Sequence, residues 1–295
     1  ESWGAVFDRT KEGRILQRNF GGHKYPRLAH VGDRTGLEMI RTLQDRGVHQ
    51  GIDVHMECTV VHLLKDGDRV SGAVGYDRER GRFRVFHAKA IVLAPGKVPN
   101  MLGLENESQY FNKGIHYCTK CDAPFYQGRT TASVGVGSYL LESGLLLSRM
   151  ASKMYLILRG SKLAGDKDLV AAVENNKNIE IVTQSSVKAI SGNSVLQQIT
   201  IVDSSGAEKI LDVDALFIEM GSKINLDYVK HLVKINTKGE IEIESGGMTS
   251  HPAIFAAGDA TTIPYKQIIV ACGDGSNAGL RSEEHTSELQ SRETI

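Results

Sequence analysis

Apolar and polar positions in the middle of the chain predict successive strands and helices. Residues 131–134 are typical of a short strand, residues 139–150 of an apolar helix and residues 153–158 of a second strand. This order is a βαβ unit, the core of a dinucleotide-binding domain. We expect one helix and three strands to continue the same sheet, at residues 167–175, 179–182, 199–202 and 215–218.

The front of the chain has strand signals of its own. Residues 52–64 alternate and then become apolar, as a strand does, and Lys65-Asp-Gly-Asp68 is typical of a hairpin turn. We expect partner strands at 70–76 and 82–87, a buried strand at 88–94, and a helix at 33–45 with an apolar face of Leu37, Ile40 and Leu43. Residues 254–257 predict a further strand, and a helix is expected to begin near Gln267.

Length and charge limit the classes of function. The chain has 295 residues, enough for two domains, and its 35 basic residues balance its 35 acidic ones. Balanced charge gives no reason to expect nucleic acid or an anionic membrane as partner. No apolar run is long enough to cross a bilayer, and the chain does not open with a secretion leader. We therefore expect a cytoplasmic protein.

The segment Tyr117-Cys-Thr-Lys-Cys-Asp122 carries the clearest chemistry. Two cysteines at this spacing can form a small disulfide and accept two electrons, and the carboxyl group of Asp122 can exchange the proton that thiol–disulfide chemistry requires. The alternative is half of a zinc site, with His116 as a third ligand. A structural zinc site takes four protein ligands, and no second pair of that kind follows. We therefore predict a redox pair and no metal.

A glycine-rich turn, Val134-Gly-Val-Gly137, lies between the predicted strand and helix of the βαβ unit. Glycines there allow a pyrophosphate to approach the backbone, and the helix N-terminus offers it amide donors. An ordinary tight turn is the alternative, and Leu140 occupies a position where a small residue usually keeps helix and strand close. Arg159, after the second strand, is either a contact to the 2′-phosphate of NADPH or a solvated surface arginine.

A third motif runs from Ile254 to Ala260 and continues through Tyr265-Lys-Gln-Ile-Ile-Val270. Gly258 would let the chain pass close to a flavin, and Asp259 could accept a hydrogen bond from a ribityl hydroxyl. The helix that begins near Gln267 would direct its amides toward the flavin ring.

Residues 95–280 resemble low-molecular-weight thioredoxin reductases and the reductase subunit of alkyl hydroperoxide reductase. The resemblance is carried by the segments 95–100, 114–122, 134–137, 217–221 and 255–270. It implies that NADPH or NADH reduces FAD, that FAD reduces the cysteine pair, and that the pair reduces the disulfide of a thioredoxin-like or other small redox protein. It also implies a homodimer.

The same resemblance assigns roles to individual residues. Cys121 would face the flavin, Cys118 would attack the partner, and Asp122 would be the acid. The cofactor-binding residues that we expect from the motifs and the resemblance together are Gly96, Gly135, Gly137, Ser138, Arg159, Gly221, Gly258, Asp259, Lys266, Gln267 and Ile268.

The two ends of the chain resemble other sequences. Segments 3–9, 14–23, 33–36 and 88–94 are similar to the flavoprotein subunit of succinate dehydrogenase or fumarate reductase, so we expect a chimera joined near residues 94–96. The residues Arg9, Arg14, Arg18 and His23 suggest a carboxylate site, but surface charge is the preferred interpretation. Residues 281–291 are similar to a translated sequencing adapter, and we expect 281–295 to be a non-native disordered tail, with a natural disordered tail as the alternative.

Together these patterns predict an α/β protein with two Rossmann-like dinucleotide-binding domains, of which the FAD domain is truncated at its N-terminus. We expect the FAD domain at residues 1–110 and 249–280, and the NAD(P) and disulfide domain at 111–248. The leading function is a flavoprotein disulfide reductase. The alternatives are a fragment that binds a nucleotide but not FAD and, ranked lower, a succinate dehydrogenase-like flavoprotein.

Overall fold

The computed structural model describes residues 1–19 and 24–293, so His23 lies outside the described residues. The helices are α1 (Thr35–His49), α2 (Thr119–Asp122), α3 (Gly137–Ser148), α4 (Lys167–Glu174) and α5 (Ile268–Glu293). The strands are β1 (Gln17–Arg18), β2 (Leu28–Ala29), β3 (Cys58–Asp66), β4 (Arg69–Asp77), β5 (Arg82–His87), β6 (Ile91–Leu93), β7 (Val98–Pro99), β8 (Ile115–His116), β9 (Thr130–Gly135), β10 (Lys153–Ile157), β11 (Ile179–Val182), β12 (Ser185–Gly192), β13 (Leu196–Asp203), β14 (Glu208–Asp212), β15 (Ala215–Glu219), β16 (Ser222–Lys223) and β17 (Ile254–Ala256).

The chain folds into two compact units. The first unit contains Glu1–Val54 and Met101–Met220, and the second contains His55–Asn100 and Gly221–Ile295. These divisions differ from the predicted boundaries at 110 and 248, because residues 221–248 fold together with the segment that follows them. Which cofactor each unit binds stays a prediction.

The first unit is built around a parallel sheet with the strand order β11-β10-β9-β15-β8. Strands β9, β10 and β15 are buried along almost their whole length, as expected for a parallel sheet covered on both faces. Helix α3 follows β9 and packs into the core through Leu140, Leu141 and Leu147. The predicted βαβ unit and the α/β fold class are therefore confirmed.

One predicted strand belongs to a different sheet. Residues 199–202 lie in β13, which pairs antiparallel with β12 and β14 rather than continuing the parallel sheet. The reason is the length of its connections, since three residues join β12 to β13 and four join β13 to β14. Parallel neighbours need a crossover of a dozen or more residues, whereas short turns join antiparallel strands.

The second unit contains the antiparallel sheet β3-β4-β5 and the parallel pair β6-β17. The predicted hairpin is confirmed, with Gly67 and Asp68 forming the turn between β3 and β4. Strand β3 begins at Cys58 rather than at residue 52, because Glu57 has a left-handed backbone conformation (φ 53°) that interrupts extended structure. Leu63, Leu93 and Ile254 belong to the core of this unit.

Both terminal regions differ from expectation. Helix α1 forms as predicted, but none of its residues is buried, and Leu37, Ile40 and Leu43 are 47%, 55% and 56% exposed. Residues from 281 to 293 are helical rather than disordered, because they extend α5. The Arg281 guanidinium pairs with the carboxylates of Glu284 and Glu288, which stabilises the extension, and whether this segment is native stays untested.

None of the helices in the described part of the chain combines the length and hydropathy that a bilayer crossing requires.

Candidate active site

Cys118 and Cys121 form a disulfide at the C-terminal side of β8. Their sulfurs are 2.10 Å apart and their Cα atoms 5.3 Å apart. Cys118 is the N-cap residue of α2, and its carbonyl oxygen accepts hydrogen bonds from the amides of Cys121 and Asp122, each at 3.1 Å. Cys118 is half-buried and Cys121 is exposed. The short helical turn therefore holds the two predicted redox cysteines within bonding distance.

The zinc alternative gains no support from the geometry. Among residues 1–19 and 24–293 there is no group of three or more histidine, cysteine, aspartate or glutamate side chains arranged to hold a metal ion.

His116 lies beneath the cysteine loop and is almost completely buried. Its Nδ1 atom is 3.1 Å from Oδ2 of Asp122, and its Nε2 atom is 2.7 Å from the hydroxyl of Tyr126. The imidazole also stacks on Phe217 of β15, with ring centroids 5.2 Å apart. Burial, and then the charges of Asp122 and Asp214, raise the pKa of Tyr126, so this hydroxyl keeps its proton and can donate to Nε2.

Thr119, the first residue between the two cysteines, joins a buried polar network. Its hydroxyl donates to Oε1 of Glu219 at 2.6 Å and lies 2.7 Å from the hydroxyl of Ser143 in α3. Ser143 in turn lies 3.0 Å from the hydroxyl of Ser133 in β9. Burial raises the pKa of the Glu219 carboxyl, and the hydrogen bonds from Thr119 and Ser143 oppose that shift. The network links the cysteine loop to the strand and helix of the βαβ unit.

The glycine-rich turn combines a close approach of two strands with an open, uncapped start of α3. A Cβ at Gly135 would lie 2.2 Å from the carbonyl oxygen of Glu219, so only glycine lets β9 approach β15 this closely. Gly137 has a φ of 67° and open space around it. Val136 is the N-cap of α3 and provides no side-chain cap, which leaves the first amides of the helix available to an anion.

A cavity of about 120 Å³ lies against this turn. Its lining includes Gly135, Gly137, Leu158, Arg159 and Lys162. Arg159 thus lines the cavity, and its contact to a 2′-phosphate stays a prediction. Lys162 is a second cation at the same cavity that the sequence patterns did not predict, although it lies in the same loop after β10 as Arg159.

Two further positions near the turn have contacts within the protein. The hydroxyl of Ser138 accepts a hydrogen bond from the amide of Asp166 at 3.1 Å, and its contact to a cofactor stays a prediction. Leu140 is a core residue, only 2% exposed. The close approach of helix and strand occurs instead at Gly144, where a Cβ would lie 2.8 Å from a methyl group of Leu156.

The residues that we predicted to contact a flavin lie in the second unit. Gly258 has a φ of 73°, and a Cβ there would lie 3.2 Å from that of Ala271 in α5. The turn it forms places Asp259 directly after β17. At the start of α5, Gln267 and Ile268 are exposed, and Ile268 reaches 85% exposure.

Lys266 takes part in a cluster of charges. Its ammonium is 3.2 Å from Oε1 of Glu240, and the ammonium of Lys97 is 2.8 Å from the same oxygen. Burial opposes ionisation of Glu240, but hydrogen bonds from Lys97, Asn236 and Lys266 lower its pKa to about 2. Burial lowers the pKa of Lys266, whereas its hydrogen bond to Glu240 raises it.

The predicted site residues thus form two groups. Cys118, Cys121, Asp122, Gly135, Gly137, Ser138 and Arg159 lie in the first unit. Gly96, Gly221, Gly258, Asp259, Lys266, Gln267 and Ile268 lie in the second. Gly96 has a φ of 66° with open space beside it, and the carbonyl of Gly221 accepts a hydrogen bond from the amide of Asn100.

Fold and turn together define a nucleotide-binding α/β protein that carries a disulfide beside its dinucleotide turn. Residues 41–275 match the model of the family described as pyridine nucleotide-disulphide oxidoreductase, and the chain belongs to that family. The match begins before residue 94 and so includes part of the front segment. The resemblance of that segment to succinate dehydrogenase, and the proposed junction, stay predictions.

Individual relatives agree with the family assignment. An alkyl hydroperoxide reductase subunit from Pseudomonas aeruginosa is 28% identical over 283 residues, which cover 92% of this chain and 53% of that protein. The solved thioredoxin reductase of Giardia duodenalis is 25% identical, with a TM-score of 0.74 over 92% of this chain and 85% of that one. The thioredoxin reductase of Streptococcus pyogenes, at 24% identity, has the same fold, with a TM-score of 0.76 over 95% of this chain and 89% of that one. The chain spans about half the length of the first of these relatives.

Proposed function

We propose that this chain is a flavoprotein disulfide reductase. Electrons pass from NADPH or NADH through FAD to the Cys118–Cys121 pair, and from the pair to a protein disulfide. The observation that carries the proposal is the Cys118–Cys121 disulfide within the unit that also holds the dinucleotide turn. Thr119 connects the two through its hydrogen bond to Glu219, the residue packed against Gly135.

The first unit fits a nicotinamide dinucleotide. The uncapped N-terminus of α3 and the open space at Gly137 would receive the pyrophosphate. Arg159 and Lys162 line the adjoining cavity, where a 2′-phosphate would find two positive charges. This pair of cations favours NADPH over NADH.

The second unit fits the flavin end of FAD. Tyr265, Ile268 and Ile269 are 72%, 85% and 79% exposed at the start of α5, and an apolar ring system would cover such a surface. Asp259 would hold a ribityl hydroxyl, and Gly96, Gly221, Lys266 and Gln267 are the remaining contacts that the family resemblance implies. When bound, FAD would supply the step between a two-electron hydride donor and the disulfide.

A specific observation also favours the second candidate, a nucleotide-binding protein that does not retain FAD. In the described part of the second unit, no Gly-x-Gly turn joins a strand to a helix. The adenosine diphosphate half of FAD usually binds at such a turn. The residues fit only part of the cofactor, so retention of FAD decides between the two candidates.

Purified chain incubated with FAD and then desalted tests the proposal. A retained visible flavin band, together with NADPH oxidation that requires a thioredoxin-type disulfide, supports it. The variants Cys118→Ser and Cys121→Ser should abolish turnover, whereas Cys272→Ser, at an exposed free cysteine, should not. Absence of the flavin band, with nucleotide binding preserved, favours the second candidate.

The roles of the single residues follow from the family. Cys121 faces the flavin, Cys118 attacks the partner and Asp122 is the acid. The partner is a thioredoxin-like or other small redox protein, in keeping with the names of the relatives. A homodimeric state and a cytoplasmic location belong to the same proposal.

A further inference from the structure

His116 is a buried titratable residue for which the proposed function has no role. It follows Ile115 in β8, and its side chain is only 5% exposed. Its Nδ1 atom is buried and makes no hydrogen bond, yet Oδ2 of Asp122 lies 3.1 Å away. A buried imidazole nitrogen without a hydrogen bond is costly, so its placement beside the carboxylate needs a reason.

The other ring nitrogen fixes the orientation of the imidazole. Tyr126 lies 2.7 Å from Nε2, and its raised pKa makes the hydroxyl a donor to that nitrogen. An Nε2 that accepts leaves the proton of neutral imidazole on Nδ1, which faces Asp122. Phe217 stacks on one face of the ring and prevents it from turning away.

We propose that His116 is a positioning residue whose Nδ1–H holds the carboxyl of Asp122 and stabilises the carboxylate that forms while the cysteine pair is reduced. This inference rests on the proposed function, in which Asp122 is the acid. His116 does not touch the reacting sulfurs and acts only through Asp122.

The proton balance shows what the contact achieves. Two electrons, which the proposed function takes from reduced FAD, break the S–S bond and leave two thiolates. One proton passes from the carboxyl of Asp122 to one sulfur, giving a thiol, a thiolate and a carboxylate. The Nδ1–H of His116 donates a hydrogen bond to that carboxylate and keeps its proton, and solvent later returns a proton to Asp122.

The charged and titratable groups around His116 are few. Asp122 faces Nδ1 from α2, and Tyr126 faces Nε2. Asp214 and Arg129 act on Tyr126 with opposite signs, and β15 contributes the uncharged Phe217. Loss of the Nδ1–H is therefore expected to act mainly on Asp122 and on the adjacent thiols.

Alkylation of the reduced full chain, followed cysteine by cysteine with mass spectrometry from pH 5 to pH 9, tests this role. In the wild type, the rate at the pair should rise with pH as the thiols ionise. His116→Phe keeps a ring but removes the Nδ1–H donor, so the negative charge of Asp122 acts more fully on the adjacent thiols, and alkylation at pH 6 should be roughly tenfold slower, the equivalent of about one pKa unit. His116→Asn keeps an amide donor near the Nδ1 position and should retain the wild-type profile.

Two further variants complete the experiment. His87→Phe makes the same substitution at an exposed histidine of β5 and should leave the profile unchanged. Tyr126→Phe keeps the ring and removes the donor that holds the imidazole proton on Nδ1, so it should shift the profile in the same direction and serves as the test if His116→Phe does not fold. A wild-type profile in folded His116→Phe, or in Tyr126→Phe when that variant alone folds, overturns the inference.

The measurement needs neither FAD nor a nucleotide. A shifted profile in a chain without reductase turnover would overturn only the proposed function. Turnover with an unshifted profile would overturn only the role of His116.

Discussion

The hydroxyl of Thr119 donates a 2.6 Å hydrogen bond to Glu219, and the backbone of Glu219 packs directly against Gly135. One residue at the end of β15 therefore contacts both the loop between the two cysteines and the glycine-rich turn. The Glu219 side chain is half-buried, and its carboxyl group is neutral over a wider pH range than usual, because burial raises its pKa.

Two substitutions of Glu219 should separate the contribution of its hydrogen bond to stability from the contribution of its charge. Glu219→Gln retains a partner for Thr119 and should unfold at the same or a higher urea concentration at pH 8. Glu219→Ala removes the carboxyl acceptor of the buried Thr119 hydroxyl and should lower the free energy of unfolding by about 1–3 kcal/mol. Urea unfolding followed by circular dichroism measures both variants.

The pH dependence of that comparison has a defined sign. Because the folded-state pKa of Glu219 is raised above its ordinary value of 4.5, the stability it contributes is fully present below pH 4.5 and is lost as pH rises through the folded pKa. The difference between Glu219→Gln and the wild type should therefore grow with rising pH. A difference that stays constant from pH 4 to pH 8 would contradict a raised pKa.

The Glu240 cluster should show the opposite dependence. The pKa of Glu240 is lowered from 4.5 to about 2, so its stabilisation is present above pH 4.5 and lost as pH falls toward 2. Glu240→Gln should lower the free energy of unfolding by about 1.5–3 kcal/mol at pH 7, because Lys97 and Lys266 lose a charged acceptor. Its unfolding midpoint should converge with that of the wild type near pH 2. Glu242→Gln, in the same segment, is the matched control.

The two glycines of the dinucleotide turn should respond differently to alanine. Gly135→Ala places a Cβ 2.2 Å from a backbone oxygen, so β9 and β15 must separate, and we expect a loss of about 3 kcal/mol or more. In Gly137→Ala the added Cβ would meet no atom, but the alanine would have to adopt a left-handed backbone conformation, which should lower the free energy of unfolding by about 1–2 kcal/mol. Urea unfolding ranks the two, and equal losses would argue against the close strand approach at Gly135.

Arg159 and Lys162 should determine the preference between nucleotides. Substitution of both by alanine removes two cations from the cavity. NADPH binding should weaken by tenfold or more, because the loss of one charge-assisted hydrogen bond has an effect of about that size. NADH binding should change little. Calorimetric titration of each nucleotide measures the ratio, and Arg149→Ala, at an exposed residue that follows α3, is the control. Equal weakening of both nucleotides would mean that the cations contact the pyrophosphate instead.

The sequence predicts the parts of this molecule that depend on local spacing. The cysteine pair, the glycine-rich turn and the β3–β4 hairpin follow from residues that are neighbours in the chain. The placement of β13 was wrong, although Asp203-Ser-Ser-Gly206 is a short turn of the kind that joins antiparallel strands. The length of the connections, and not the strand signal itself, decides to which sheet β13 belongs.

The contacts of the candidate site depend on register across the sheet. Glu219 reaches Thr119 because β15 lies between β8 and β9, and His116 meets Phe217 for the same reason. The members of the first pair are 100 residues apart in the chain, and those of the second are about as far apart, so no local pattern in the sequence indicates these contacts. The family resemblance does not predict them either, because it rests on the motifs alone.

Helix α1 has a practical consequence for anyone who prepares this protein. Its amphipathic pattern is strong, yet Leu37, Ile40 and Leu43 remain in contact with water. Such a surface attracts dyes such as anilinonaphthalene sulfonate, detergent micelles and other copies of the chain. Light scattering that rises with concentration is the behaviour to anticipate, and a carrier fusion during expression is the sensible precaution.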